Sequence, residues 1–463
     1  MKAPITAMCL NPMIERMSRK ELEDLQLQKL RKQLAYVYRE NPFYRNRFDA
    51  AGVEPEDIGS LEDFSERVPF VSKDDFVKDQ EDHPPYGERL GVARDKVSQV
   101  HLTSGTSGLG QEVYARTRAD VELMGTGWMH NFRWSGLAKG DVAVNMIPIG
   151  TYAAGWSIMQ GFFKMGLTSF HLHGMDGPRK LQLMERFKPQ YIWATPPYLT
   201  RLTVLAREVG IDPRRAFDTL KSITVATEAF PVSWAQEMEE VWGTRLHEMY
   251  GSTQGDGLVA VTCERGAILA GGRGSLHVIE QHFLVEVLDP ATGRHVRSGD
   301  EGELILTGLD TEASPVIRFR TRDRVRFLGY DTCDCGRPFN IWESGTITRY
   351  DDMLKIRGMN VWPSAVDAVV FAHKEVDEYV GLLTIDTAGR EQALIRLALK
   401  PEAAGLAPSG RQGLLASIGE GIKTATGVSM EIREAPRAEL PTFEFKSRRW
   451  SDQRQQGLAR GTR

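Results

Sequence analysis

Long apolar runs are missing from this chain. No stretch approaches the roughly 18 consecutive apolar residues that a membrane-spanning helix needs, so no membrane partner is expected. Cysteine is scarce, and four in 463 residues do not make a disulfide framework. Blocks of one charge sign are absent and the net charge is −4, which argues against nucleic acid as the main partner. The opening stretch MKAPITAMCLNPMIERMS has one lysine and too short an apolar core for a signal peptide. No internal repeat or low-complexity segment is evident. These absences leave a soluble, cytoplasmic protein as the expectation. With 41% apolar residues and this length, one large domain plus a smaller one should form.

What is present is alternation. Ser18-x-x-Glu21 has the form of a capping box. Leu22, Leu25, Leu30, Leu34 and Val37 follow a helical stripe that should stop before Asn41-Pro42. Residues 53–95 mix proline, glycine and charge without a strong period and read as a connecting region. From 97 onward, strand-like runs (97–102, 142–147, 167–172, 191–194, 222–226) alternate with helical ones (152–166, 178–187, 199–209). Such alternation implies right-handed βαβ units and a mostly parallel sheet. Ligands of such sheets sit beyond the C-terminal strand ends. The loops at Thr103, Ala226 and Tyr250 all follow strands and are expected to converge on one crevice. Later the texture turns to antiparallel strands with turns, a small β-rich subdomain over about 260–345. Residues 351–463 alternate again and suit a compact lid domain, leaving 1–350 as the large domain.

The most suggestive loop is Thr103, Ser104, Gly105, Thr106, Ser107 and Gly108. Small residues let successive N–H groups turn toward one point, and the hydroxyls add donors, which makes a phosphate cradle. Taken alone, the same residues also suit a surface turn.

Five stretches line up in order: 103–108 (TSGTSG), 226–230 (ATEAF), 249–254 (MYGSTQ), 318–323 (RFRTRD) and 349–358 (RYDDMLKIRG). Together they resemble the acyl-adenylate-forming superfamily, which includes acyl-CoA synthetases. The phenylacetate–CoA ligase branch is the closer match, through 14–18 (IERMS), 41–45 (NPFYR), 333–337 (CDCGR) and 358–363 (GMNVWP). The resemblance covers nearly the whole chain. It implies an α/β fold: a large N-terminal domain of layered, mostly parallel sheets with helices, a β-rich subdomain, and a small mobile C-terminal α+β lid. It also implies ATP, Mg²⁺ and coenzyme A, a small aromatic carboxylic acid as substrate, and a homodimer. A carboxylate would attack the α-phosphorus of ATP, giving acyl-AMP and pyrophosphate, and a thiol would then displace AMP.

The resemblance also implies roles. Thr103 to Gly108, with Thr106 catalytic, would hold the β- and γ-phosphates. Glu228 and Ala229 would pack against adenine and Tyr250 would stack on it. Gly251 would let substrate approach the backbone beside Ser252. Asp323 would accept the ribose hydroxyls, with Arg337 and Arg349 as phosphate or ribose contacts. Asp351 falls at the hinge and Gly358 at the pantetheine tunnel. Tyr152, Ala153, Gly155 and Trp156 line the acyl pocket, where bulky aromatics favour a short aryl acid. Lys446 would neutralise the α-phosphate and carboxylate during adenylation. Cys263, His277, Cys333 and Cys335 would hold a structural zinc, with His282 as a substitute ligand.

Each residue also has a plainer reading from its type alone. Glu228 suits a surface loop and Tyr250 a core. Asp323, Arg337 and Arg349 suit ion pairs, Lys446 a solvated basic tail, and the cysteines a reduced core. Three departures stand out. Gly110 and Gln111 replace the Pro and Lys common after the phosphate loop, and Phe445 replaces the glycine before Lys446. Gln254 stands where relatives place a glutamate ligand for Mg²⁺. An amide can ligate Mg²⁺ but brings no charge, so Asp256 or water would have to substitute, or adenylation is altered. Two other readings therefore stay open: transfer to an amine or carrier-protein thiol, and a nucleotide-binding relative with lost catalysis.

Overall fold

The computed structural model describes residues 8–103, 111–386, 390–403, 405–443 and 447–454. The chain divides into two compact units. The first holds Met1–Ala194, Thr203–Thr227 and Glu239–Ile347, and the second holds Thr195–Leu202, Glu228–Met238 and Thr348–Arg463.

The first unit is built on one large mixed sheet. Val142–Asn145 pairs in parallel with Thr168–His171 and Tyr191–Ala194; Ser222–Val225 and Arg245–Tyr250 extend the parallel run. These strands are short, and Tyr191–Ala194 and Ser222–Val225 are buried throughout, as a sheet covered on both faces requires. The helix crossings that cover it are close. A Cβ on Gly161 of helix Ala153–Met165 would lie 2.4 Å from the Cβ of Trp128 on Arg118–Trp134. The expected β-rich region continues this same sheet. Arg245–Tyr250 pairs antiparallel with Ala260–Thr262, followed by Ser275–Val278, Asn340–Glu343, Phe319–Tyr330, Glu301–Gly308 and Phe283–Leu288.

The helix Arg19–Glu40 begins with the expected capping box. Ser18 accepts from the Glu21 N–H, and Glu21 accepts from the Ser18 N–H at 2.7 Å. Residues 53–95 are more ordered than their composition indicated, with helices Leu61–Arg67 and Lys73–Asp82 capped by Ser60 and Ser72. Both helices are short and polar, so neither shows a strong apolar period. Each anchors through one phenylalanine, Phe64 and Phe76, and Phe76 stacks on Phe319 at 5.4 Å.

One expectation about the sheet needs correcting. Gln99–Leu102 does not join the parallel strands, because it forms a two-stranded antiparallel hairpin with Val113–Arg116. The phosphate-loop motif therefore falls between the two strands of this pair.

The second unit is α+β. Glu391–Leu399 and Val376–Ile385 pair antiparallel at the centre, flanked in parallel by Glu431–Glu434 and Trp450–Asp452. Helices Pro363–Val370 and Pro408–Thr426 contribute Val366, Val370, Ile418 and Ile422 to its apolar core.

Candidate active site

Arg245–Tyr250 is where the sheet changes from parallel to antiparallel pairing. Tyr250 ends that strand. Its ring lies edge-on to Trp342, with centroids 5.6 Å apart, and its phenol donates to Oδ2 of Asp323 at 2.5 Å. Asp323 lies within Phe319–Tyr330. Its N–H donates to Thr321 Oγ1 at 3.0 Å. Two residues named from the sequence thus meet, although 73 positions separate them. A carboxylate offers about four acceptor positions, of which the Tyr250 hydroxyl takes one.

The turn after Tyr250 is packed against itself. A Cβ at Gly251 would lie 1.6 Å from the Gly257 carbonyl oxygen. The glycine expected to admit substrate is thus required by the chain's own backbone. Ser252 accepts from the Gly255 N–H at 3.1 Å. Gln254 donates Nε2 to both carboxylate oxygens of Glu112, at 3.0 and 3.1 Å. Asp256 is buried with φ +53°, beside Arg116 at 2.5 Å and accepting from Thr311 at 2.9 Å. Burial raises the Asp256 carboxyl and Arg116 opposes that rise. With Arg116 and Thr311 holding it, Asp256 is a structural group and not the substitute metal ligand that the sequence allowed.

Ser104, Gly105, Thr106, Ser107, Gly108 and Lys446 lie outside the described residues. At the loop's base, Thr103 donates its N–H to the Glu112 carbonyl at 3.1 Å, and Thr103 Oγ1 accepts from the Glu112 N–H at 2.9 Å. Before Glu228, Thr227 holds φ +83°. That conformation is strained for a β-branched residue, and such strain gathers at ligand clamps. Within the second unit, the half-buried Glu228 accepts from the N–H and hydroxyl of Ser447, the residue after Lys446, the hydroxyl at 2.8 Å. Ala229 is half-buried.

Of the acyl-pocket residues, Tyr152 is 39% exposed and Ala153 is buried. Trp156 donates Nε1 to the Gly150 carbonyl at 2.8 Å. Gly155 fits closely over the backbone of Pro148 and Ile149, 2.6 Å from where its Cβ would stand. Asp351 lies in the turn Tyr350–Asp352 and exposed Arg349 pairs with it at 3.6 Å. Gly358, φ +82°, follows Arg357, φ +48°. The two form the hairpin turn between Leu354–Ile356 and Met359–Val361, where positive φ at both centres suits a primed turn.

Arg337 needs correction. It is fully buried and donates to Glu15 at 2.7 Å and Glu264 at 2.6 Å, with its guanidinium 4.3 Å from the Trp134 ring centroid. A guanidinium committed to two carboxylates is a structural centre, not a nucleotide contact. Burial alone would raise Glu15, but the Asn11 amide and Arg337 outweigh it and hold the carboxyl below its usual range.

The Cys/His set does assemble. Cys263, His277, Cys333 and Cys335 place their ligand atoms within 4.8 Å of one another. Cys263 and Cys333 sulfurs are 4.0 Å apart, and Cys335 Sγ is 3.2 Å from His277 Nε2. Tetrahedral zinc with Zn–S near 2.3 Å spaces its sulfurs by about 3.8 Å, so the set fits the ion. His277 presents Nδ1 to the Ser275 carbonyl at 3.1 Å, the usual way to leave Nε2 for metal. His282 is not part of the grouped set, since its Nδ1 faces Asp310 at 3.0 Å and its Nε2 faces Gln281 at 3.2 Å.

Comparison with known proteins now identifies the class. Residues 23–311 match the AMP-binding enzyme family, and 358–454 match the AMP-binding enzyme C-terminal domain. The chain belongs to this family and to its adenylate-forming acid–CoA ligases. It is 33% identical to phenylacetate-coenzyme A ligase of Aromatoleum evansii over 426 residues, covering 90% of this chain and 91% of that one. It is 30% identical to the Escherichia coli K12 phenylacetate-coenzyme A ligase, covering 97% and 99%. In fold it matches a 2-hydroxyisobutyryl-CoA ligase crystal structure with TM-score 0.88 at 23% identity, over 99% of this chain and 95% of that one.

Protein purified without chelator should carry one zinc per chain by mass spectrometry, and Cys335→Ser should lose it together with thermal stability; full stability without metal would contradict a structural ion. Arg337→Met should lose about 3–5 kcal/mol of stability at pH 7, as a broken buried pair does, with the ATP KM of the folded fraction unchanged. Because the Glu15 value is depressed on folding, its contribution is full above the ordinary carboxylate pKa of about 4.3 and fades as pH falls through the folded value. Urea midpoints should therefore drop below about pH 4 in the parent and less steeply in Glu15→Gln.

Proposed function

We propose that this chain joins a small aromatic carboxylic acid to coenzyme A through an acyl-adenylate. The observation that carries the reading is the near end-to-end match to phenylacetate-coenzyme A ligases. The aromatic residues Tyr152 and Trp156 at the start of Ala153–Met165 support a short aryl acid over a long aliphatic one.

In the first step a carboxylate oxygen bonds to the α-phosphorus of ATP and the bond to pyrophosphate breaks. In the second, the coenzyme A sulfur bonds to the acyl carbon and AMP leaves with the electron pair. Tyr250 and Asp323 form the nucleoside end, where Asp323 accepts from the ribose hydroxyls. Thr103 opens the loop that binds the polyphosphate. Lys446 brings an ammonium to the α-phosphate, and Asp351 is the hinge for the change of step. Mg²⁺, when bound, neutralises phosphate oxygens, and Gln254 offers it an amide oxygen because Nε2 is held by Glu112. The Cys/His set holds zinc for structure.

Pyrophosphate exchange into ATP should depend on an aryl acid, and coenzyme A should then release AMP. Lys446→Ala should abolish acyl-AMP formation while largely sparing thiolation of supplied acyl-AMP. Exchange independent of acid, AMP release only with amine or carrier protein, or intact adenylation in the variant would each contradict the corresponding part.

A further inference from the structure

The Glu112 carboxylate is buried deeply, yet among the described residues its donors are all neutral. It is 1% exposed. Oε1 accepts from the Tyr114 hydroxyl at 2.8 Å and from Gln254 Nε2 at 3.0 Å, and Oε2 accepts from the same Nε2 at 3.1 Å. Among the described residues no lysine, arginine or histidine pairs with it. Two arginines lie nearby without bonding to it. Arg89 and Arg116 sit over the Tyr114 ring at 4.4 and 5.3 Å, and Arg116 pairs with Asp256. A buried carboxylate without a counter-charge is costly. This one retains acceptor capacity on Oε2.

Its position is fixed from both sides by candidate nucleotide residues. Its backbone is bonded in both directions to Thr103, the first residue of the phosphate-loop motif. Its side chain is bonded to Gln254, four residues after Tyr250. The Gln254 amide orientation follows from this contact, since flipping it would set oxygen against carboxylate oxygen. Two oxygen groups of different charge, the Glu112 carboxylate and the Gln254 amide, therefore belong to one hydrogen-bonded pair. Mg²⁺ is commonly held by one or two carboxylates together with substrate phosphates.

We infer that Glu112 supplies the charge for the divalent cation that Gln254 lacks, so the Glu112–Gln254 pair replaces the single glutamate expected at 254. The inference rests on the reading of the chain as an ATP-consuming adenylating enzyme. In this pair the carboxylate has moved to the neighbouring hairpin while the amide orients it.

The test is binding of α,β-methylene-ATP, measured by calorimetry without acid or coenzyme A, across a Mg²⁺ series and in EDTA. Parent protein should bind more tightly as Mg²⁺ rises. Glu112→Gln should lose that increment, by about tenfold or more as loss of a metal-site group does, while its affinity in EDTA and its melting temperature stay near the parent values. The double exchange Glu112→Gln with Gln254→Glu should restore the increment, because it returns one carboxylate and one amide to the pair. An undiminished Mg²⁺ increment in Glu112→Gln would overturn the inference, as would equal loss of binding in EDTA or failure of the double exchange to restore. Parent protein that binds no analogue at any Mg²⁺ concentration would overturn the adenylating reading and this inference together.

Discussion

The hydrogen bond from Tyr250 to Asp323 is the contact on which the candidate nucleotide site depends. Tyr250 ends the last parallel strand, and Asp323 sits in the longest antiparallel one. Their bond joins the two halves of the sheet where its pairing changes. A hydrogen bond to an ionised group contributes about 1.5–3 kcal/mol, enough to hold one carboxylate oxygen in place. Catalysis of adenylation has little covalent work for the protein, so positioning and charge must carry it. A carboxylate oriented before substrate arrives suits that need.

The short motifs that set this branch apart have a common physical basis. Glu15, from the 14–18 stretch, pairs with Arg337, from the 333–337 stretch, and Arg337 directly follows the turn carrying Cys333 and Cys335. Asn41 caps the helix Pro42–Ala51 and donates to the Arg89 carbonyl. The Tyr44 hydroxyl donates to Pro315 and accepts from the Ile317 N–H. These residues fasten the N-terminal helices to the antiparallel half of the sheet.

Much of this was legible from local pattern. The capping box at Ser18, the stripe ending at Asn41 and the short buried strands depend on spacing within a segment or on residue type, whereas the Cys/His set, spread from 263 to 335, came from the family resemblance. What the sequence hid depends on partners far along the chain. Arg337 has the composition of a phosphate ligand, and only Glu15 and Glu264 make it a buried structural cation. Gly251 is demanded by the Gly257 carbonyl, which nothing local announces. The strand 99–102 has ordinary β character, and nothing local says that its partner is 113–116. Glu112 drew no attention because a single acid after a glycine-rich loop is unremarkable until Gln254 is seen against it. Gln254 is bonded to Glu112, the residue that follows Gln111 in the chain.

The central claim is that an adenylate occupies the strand ends, with Tyr250 and Asp323 around its nucleoside. The most direct measurement is a crystal structure with a non-hydrolysable acyl-adenylate mimic. The account expects the ribose hydroxyls within hydrogen-bonding distance of Asp323 and the adenine ring against Tyr250. A mimic seated away from both residues, with their mutual bond undisturbed, would contradict it.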